Sequence, residues 1–208
     1  MRDYVEREAE DFLEKEGFPI IPRIFVKTLP QALKAANKLI YPIVLKVVGK
    51  TILHKSDVGG VKIDIRNEKE LKKEFMIIAK IKGREGALVQ KFIEGQEVLL
   101  GLKKDPVFGH AIAVGAGGIY TEILKDVALR ICPIDKQEAE NMLEELKSYP
   151  LLRGARGGKK VNISALTNVV VQLSKLPKKY PQIKELDINP LIVNEKSAII
   201  ADARVIFE

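Results

Sequence analysis

The chain predicts an α+β fold (mixed α/β) of two lobes, a smaller one over residues 18–92 and a larger one over residues 93–208, with an N-terminal helix over residues 1–17 packed on the larger. Three observations point there. Strand-like and helix-like runs alternate through the first half in the order β-α-β-loop-β-α-β. The second half opens on two apolar runs around a turn, "EVLLGLKKDPVFGHAIAVGAGG", and closes on another pair, "KELDINPLIV-NEKS-AIIADARVIF", with helical periodicity between them. Neither a low-complexity spacer nor an internal repeat divides the halves, which argues for apposed lobes and a cleft, where nucleotides often bind.

Each element has a local reason. Val5, Ala9, Phe12 and Leu13 follow helical spacing and Gly17 stops them. "IPRIFVK" is β-rich, and Thr28 offers a cap to the helix "QALKAANKLI". "YPIVLKVV" is continuously apolar, as a buried strand requires, whereas "VKIDIR" alternates. Asn67 caps "EKELKKEFMIIAKIKG", closed by Gly83, and "ALVQKF" returns as a strand. In the second half "DPVFG" has a turn composition, "DVALRICP" suits a strand, Asp135 caps "KQEAENMLEELKSY", and residues 164–176 are helical.

Composition removes several function classes. The net charge of +7 is spread among acids with no basic block interleaved with aromatics, which argues against a nucleic-acid binder. Cys132 stands alone, so no internal disulfide or cysteine zinc cluster can form. The N-terminus is too charged for a signal peptide, and no apolar run reaches the ~20 residues that span a bilayer. A cytoplasmic protein without a membrane partner is expected.

Three constellations carry chemistry. The first is the loop from Lys46 through Gly49, Lys50, Thr51, His54, Lys55 and Ser56 to Gly59-Gly60. Cations, hydroxyls and glycine N–H groups suit phosphate, although a solvated lysine-rich hairpin loop has the same composition. In the second, a four-residue "NEKS" loop sets Val193 opposite Ala198, Asn189 opposite Asp202 and Asp187 opposite Arg204. Two oxygen side chains about 5 Å apart at Cβ could share Mg²⁺, which takes its remaining ligands from water and nucleotide phosphates. Polar residues near a turn and an Asp187–Arg204 ion pair would look the same, and Pro190 warns of a bulge or an edge. The third is "VQKFIEGQEVLL": Gln90, Lys91, Phe92 and Ile93 could offer backbone groups to an adenine edge, and Glu97 could accept from ribose hydroxyls, unless this is an ordinary β-turn-β connection.

The stretches "LKVVGKTILHKSDVGGVKI", "GLKKDPVFGHAIAVGAGGIYTEILKDVALRICPI", "YPLLRGARGGKKVNI" and "KELDINPL…ADAR" cover nearly the whole chain in order. Together they closely resemble the β subunits of ADP-forming acetyl-CoA synthetases. These are the ATP-grasp subunits of the NDP-forming acyl-CoA synthetase family, found chiefly in archaea. The resemblance to the succinyl-CoA synthetase β subunit is looser. One departure is "VVGKT", where relatives more often carry "VVSPQ"; it touches loop shape more than charge.

The resemblance implies an ATP-grasp fold, two lobes enclosing a nucleotide cleft, and the reaction acyl-CoA + ADP + phosphate ⇌ carboxylate + CoA + ATP. It implies His54 as a second phosphoryl carrier, after a first phosphohistidine on the partner subunit, Lys46 on nucleotide phosphates, and Asn189 and Asp202 as Mg²⁺ ligands. Gln90 to Ile93 and Glu97 match the adenine hinge and ribose region. Lys55, like Lys50, would neutralise incoming phosphoryl oxygens. A CoA-binding α subunit is the implied partner, usually in an α₂β₂ assembly. Two alternatives stay open: a succinyl-CoA-type ligase subunit, and a nucleotide-sensing ATP-grasp module without turnover. His110, ahead of an apolar strand, reads as structural.

Overall fold

The computed structural model of the chain describes residues 2–49, 51–52, 55–117 and 126–208. In chain order, the first half holds β1 (Arg2–Val5), α1 (Glu6–Lys15), β2 (Arg23–Val26), α2 (Leu29–Leu39) and β3 (Ile43–Val48). It continues with β4 (Val61–Ile65), α3 (Glu68–Ile78) and β5 (Gly86–Lys91). The second half holds β6 (Gln96–Asp105), β7 (Gly109–Ala116), β8 (Val127–Ile131), α4 (Lys136–Glu144) and α5 (Tyr149–Leu152). Then come α6 (Ile163–Lys179), β9 (Ile183–Val193), β10 (Ala198–Ile200) and β11 (Ala203–Phe207). Two compact units result, Ile21–Ile93 and the combination of Met1–Ile20 with Glu94–Glu208.

In the smaller unit four antiparallel strands run in the order β2-β5-β3-β4. One face packs Ile43, Leu45, Val47, Ala87 and Val89 against Ala32 and Ala36 of α2 and Leu71, Phe75 and Ile78 of α3. Thr28 and Gln31 form a reciprocal capping box at α2, and the Asn67 side-chain Oδ1 accepts from the Glu70 N–H at 3.0 Å to start α3. Helix α3 stops at Ile78, short of the Gly83 expected from the sequence. The next residues turn so that Gly83 (φ +82°) brings its carbonyl against Gly49, where a Cβ would lie 2.2 Å from it.

In the larger unit a seven-stranded sheet runs β1-β11-β9-β6-β7-β8, with β10 also on β9. Its inward face, with Leu100, Leu102, Ile112, Leu186, Ile188 and Val205, packs on Leu13, Met142, Leu143, Leu166 and Leu173 of the helices. The expected hairpin around "DPVFG" is present, with Asp105 paired to Gly109. His110 donates its Nε2–H to the Ile183 carbonyl at 2.7 Å, a structural tie. Strand β1 corrects the sequence reading, which carried Arg2–Val5 into a helix over residues 1–17. Tyr4 pairs Val205 and Arg2 pairs Phe207, so a distant strand decides its state. The helix expected through Tyr149 also divides, since α4 ends at Glu144 and α5 begins at Tyr149 with Pro150 in its first turn.

Candidate functional site

Lys46, Lys55, Gln90, Lys91, Phe92 and Ile93 lie in the smaller unit; Glu97, Asn189 and Asp202 lie in the larger. His54 lies outside the described residues.

In the smaller unit the ladder sets Lys46 opposite Leu88 and Gln90 opposite Val44. The two polar residues therefore share the sheet face turned away from α2 and α3, on a strand diagonal. Both are buried, Lys46 to 6% exposure and Gln90 to 1%. A buried ammonium is retained only where charges or dipoles meet it. The loop that follows is closed at its base, where the Val47 N–H donates to Gly60 at 2.7 Å and the Gly60 N–H to Lys55 at 2.7 Å. Gly60 is there because a Cβ would sit 2.3 Å from Val47 Cγ1, and Gly59 adopts φ +65°.

At the end of β5 the N–H groups of Lys91 and Phe92 donate to the Pro22 and Pro42 carbonyls at 3.0 and 3.1 Å. Lys91 Nζ donates to the Ile40 carbonyl at 2.6 Å. Of the expected hinge donors, the Ile93 N–H is the one with no acceptor among the described residues.

In the larger unit Glu97 stands exposed on β6, its carbonyl accepting from Gly117 at 2.9 Å. It lines a cavity of about 760 Å³ whose wall is largely apolar, with Val98, Leu146, Leu151 and Leu152. Sequence reasoning missed Asp126 on this wall. Burial would push its carboxyl up, but N–H donation from Ser148 at 2.8 Å and Lys147 at 2.7 Å outweighs this and holds it below the ordinary value. These partners lie about twenty residues away in the chain, beyond any local motif.

The hairpin register follows the sequence expectation. Val193 pairs Ala198 and Asp187 pairs Arg204, while the Asn189 N–H donates to the Asp202 carbonyl at 3.1 Å. Against β6 the register jumps: Val98 pairs Leu191 and Leu100 pairs Ile188, so Asn189 and Pro190 together oppose Leu99. That is the bulge Pro190 warned of. Leu186 and Ile188 point into the core, leaving Asp187 half-buried and Asn189 exposed on the other face.

Asp187 is pushed up to about 6, chiefly by burial and then by the carboxylates of Asp202 and Glu185, with Arg204 only partly offsetting them. Among the described residues Asp187 and Arg204 do not close into an ion pair, although Arg204 still lowers the Asp187 carboxyl electrostatically. The cluster carries excess negative charge that a cation would relieve. Among the described residues no group of three or more His, Cys, Asp or Glu is gathered in a metal-ligating arrangement. A closed protein cage is therefore not what these residues form. They fit Mg²⁺ held by a few oxygens, with water and phosphate completing its shell.

The ATP-grasp domain profile matches residues 2–207. The chain belongs to the ATP-grasp family. Over 213 residues this ATP-grasp chain is 42% identical to the β subunit of acetate–CoA ligase [ADP-forming] I of Pyrococcus furiosus, covering 99% of this chain and 92% of the relative. It is 40% identical to acetate–CoA ligase [ADP-forming] I of Archaeoglobus fulgidus, covering 97% of this chain but 30% of that longer polypeptide. Its fold matches the acetyl-coenzyme A synthetase 1 of Ca. Korarchaeum cryptofilum, solved with coenzyme A, Ca-AMPCP and HgCl⁺, at TM-score 0.94 and 35% identity, covering 100% and 94% of the two chains. The same Korarchaeum enzyme, with coenzyme A and Mg-AMPPCP, has its phosphohistidine segment pointing towards the nucleotide binding site (TM-score 0.86, 36% identity, 99% and 93% covered). The β-subunit relative and the longer single-chain one imply a partner subunit or domain. Among the described residues no helix is long and apolar enough to cross a membrane.

Proposed function

We propose that this ATP-grasp chain is the nucleotide-binding subunit of a cytoplasmic ADP-forming acyl-CoA synthetase, with acetyl-CoA as the first substrate to test. Its reaction is acyl-CoA + ADP + phosphate ⇌ carboxylate + CoA + ATP. The observation that carries it is the 42% identity to a β subunit of that enzyme over 92% of the relative's length. The carboxylates of Asp187 and Asp202, with Asn189 opposite Asp202, support it from within the chain.

Residues 18–92 form the phosphate lobe in this reading and residues 93–208 the metal lobe. Lys46 contacts the nucleotide phosphates, the Ile93 N–H and the carbonyls of Gln90, Lys91 and Phe92 meet the adenine edge, and Glu97 accepts from ribose. Asn189 and Asp202 hold Mg²⁺, which would supply charge neutralisation between the β-phosphate and the transferring phosphoryl group. Asp187 supplies further negative charge beside them.

His54 is the carrier. A neutral imidazole nitrogen attacks the phosphorus of the phosphohistidine on the partner subunit, forming a new N–P bond as the old N–P bond breaks and the partner's imidazole leaves. An ADP β-phosphate oxygen then attacks that phosphorus, the N–P bond breaks, and free imidazole returns. Lys55 and Lys50 neutralise the phosphoryl oxygens during the transfer. The thioester chemistry belongs to a CoA-binding α subunit, in an α₂β₂ assembly. The test is isotope exchange: the chain with Mg-ADP should accept phosphate from the phosphorylated partner. A chain that binds Mg-ADP but never accepts phosphate would be a nucleotide sensor instead.

A further inference from the structure

Among the described residues eleven large hydrophobic side chains stand exposed, and five of them, Val107, Phe108, Val127, Leu129 and Ile131, lie along one edge of the larger unit's sheet. Strand β8 ends that sheet and pairs only with β7 among the described strands. Its inward face is fixed. Ala128 sits in the core, and the Arg130 guanidinium pairs with both Glu138 of α4 and Glu145 just beyond it. Its other face presents Val127, Leu129 and Ile131, at 40%, 62% and 49% exposure. Their cross-strand neighbours are Gly115, Ala113 and Ala111, too small to cover them.

Natural edge strands are blunted by lysine, proline, a bulge or an inward-pointing charge. Val127–Ile131 contains neither lysine nor proline and pairs with β7 without a shift; its one charge, Arg130, is neutralised on the inner face by Glu138 and Glu145, which leaves the outer face apolar. The nearby tip of the β6–β7 hairpin is equally deliberate. Asp105 accepts from the Val107 and Phe108 N–H groups at 2.8 and 2.9 Å, and Gly109 takes φ +81°. The tip therefore holds Val107 and Phe108 in solvent, 79% and 69% exposed, in one set conformation. An ordered aromatic at a loop tip loses little entropy on entering a pocket.

We infer that this edge is the docking surface for the CoA-binding partner, which adds a strand along β8 and receives Phe108 in an apolar pocket. This rests on the subunit reading proposed above. The extent of polypeptide outside the chain identifies the occupant. The chain spans 92% of a β-subunit relative but only 30% of a single-chain one, so most of a complete enzyme lies elsewhere and must find a face here. The partner segment it fits is extended, with alternating apolar side chains.

Sedimentation velocity of the full chain with the separately purified CoA-binding partner tests this, together with hydrogen exchange on the wild-type complex. Amides of residues 127–131 should exchange at least about tenfold more slowly in the complex, as added ladder bonds require. Leu129→Lys and Phe108→Ser should each weaken the complex by about tenfold or more, while Mg-ADP binding by the isolated variants stays within about twofold, since neither residue belongs to the nucleotide reading. A complex whose β8 exchange is unchanged overturns the inference alone, and needs no variant to fold. So does an edge that serves only self-association, seen as a wild-type dimer that the variants dissolve without weakening partner binding. A chain that makes ATP without any partner overturns the subunit reading itself.

Discussion

The backbone N–H of Asn189 donates to the carbonyl of Asp202 at 3.1 Å, across a hairpin whose first strand bulges at Asn189-Pro190. The two residues thus stand opposite each other in the hairpin, at a point where the pleat is broken. If they share one cation, removing either should cost most of what removing both costs. Asp202→Asn should lower Mg²⁺-dependent turnover by about a hundredfold or more with an unchanged melting temperature. Asn189→Ala should add little in the double variant. Additive losses in the double-mutant cycle would separate the two residues.

Asp187 gives the cluster a pH signature. Its carboxyl is raised from 3.8 to about 6, by burial first and by Asp202 and Glu185 next. Between these values the folded chain holds the proton that the unfolded chain has lost, so metal-free stability falls as pH rises through this window. Above it the penalty is complete. Asp187→Asn should therefore stabilise the metal-free chain at pH 8 by on the order of 1 kcal/mol and leave it unchanged near pH 3. Urea midpoints at the two pH values measure this. A gain independent of pH would mean that charge is not the cause.

Gly60 limits how the loop base can change. A Cβ there would lie 2.3 Å from Val47 Cγ1 and 3.0 Å from the Lys55 carbonyl. Gly60→Ala should destabilise the chain by about 1–3 kcal/mol through forced displacement. Val47→Ala in the same chain should recover part of that loss. Calorimetry of the single and double variants decides it, and an unshifted single variant would show that the base yields freely.

Much of this site was legible from pattern. The "NEKS" loop fixed the hairpin register, and with it the opposition of Asn189 and Asp202, because strand side chains repeat every two residues. Lys46 and Gln90 could be placed on strands, but not on one shared outer face, since that depends on which residues of β3 and β5 meet. Strand β1 was invisible for a similar reason: its pairing partner lies about two hundred residues away. Asp187 was seen as a partner for Arg204. Its place in an acidic cluster depends on side-chain directions around a bulge, which pairing alone does not give.

In the proposed function His54 carries the phosphoryl group, and a label can be followed to it. With partner, acyl-CoA and phosphate but no ADP, the chain should accumulate about one acid-labile, base-stable phosphate per His54, as a phosphoramidate requires. His54→Ala should abolish that label and ATP formation while the partner still forms acyl phosphate. Full ATP synthesis by the variant would return His54 to a turn residue.

The most direct test of the account is ATP formation from acetyl-CoA, ADP and phosphate by the purified chain, measured before and after the CoA-binding partner is added. We expect the chain alone to bind Mg-ADP and make no ATP, and ATP synthesis to appear on addition of the partner. Sustained acetyl-CoA-dependent ATP synthesis by this polypeptide alone, or none from the reconstituted pair across acyl-CoA substrates, would contradict it.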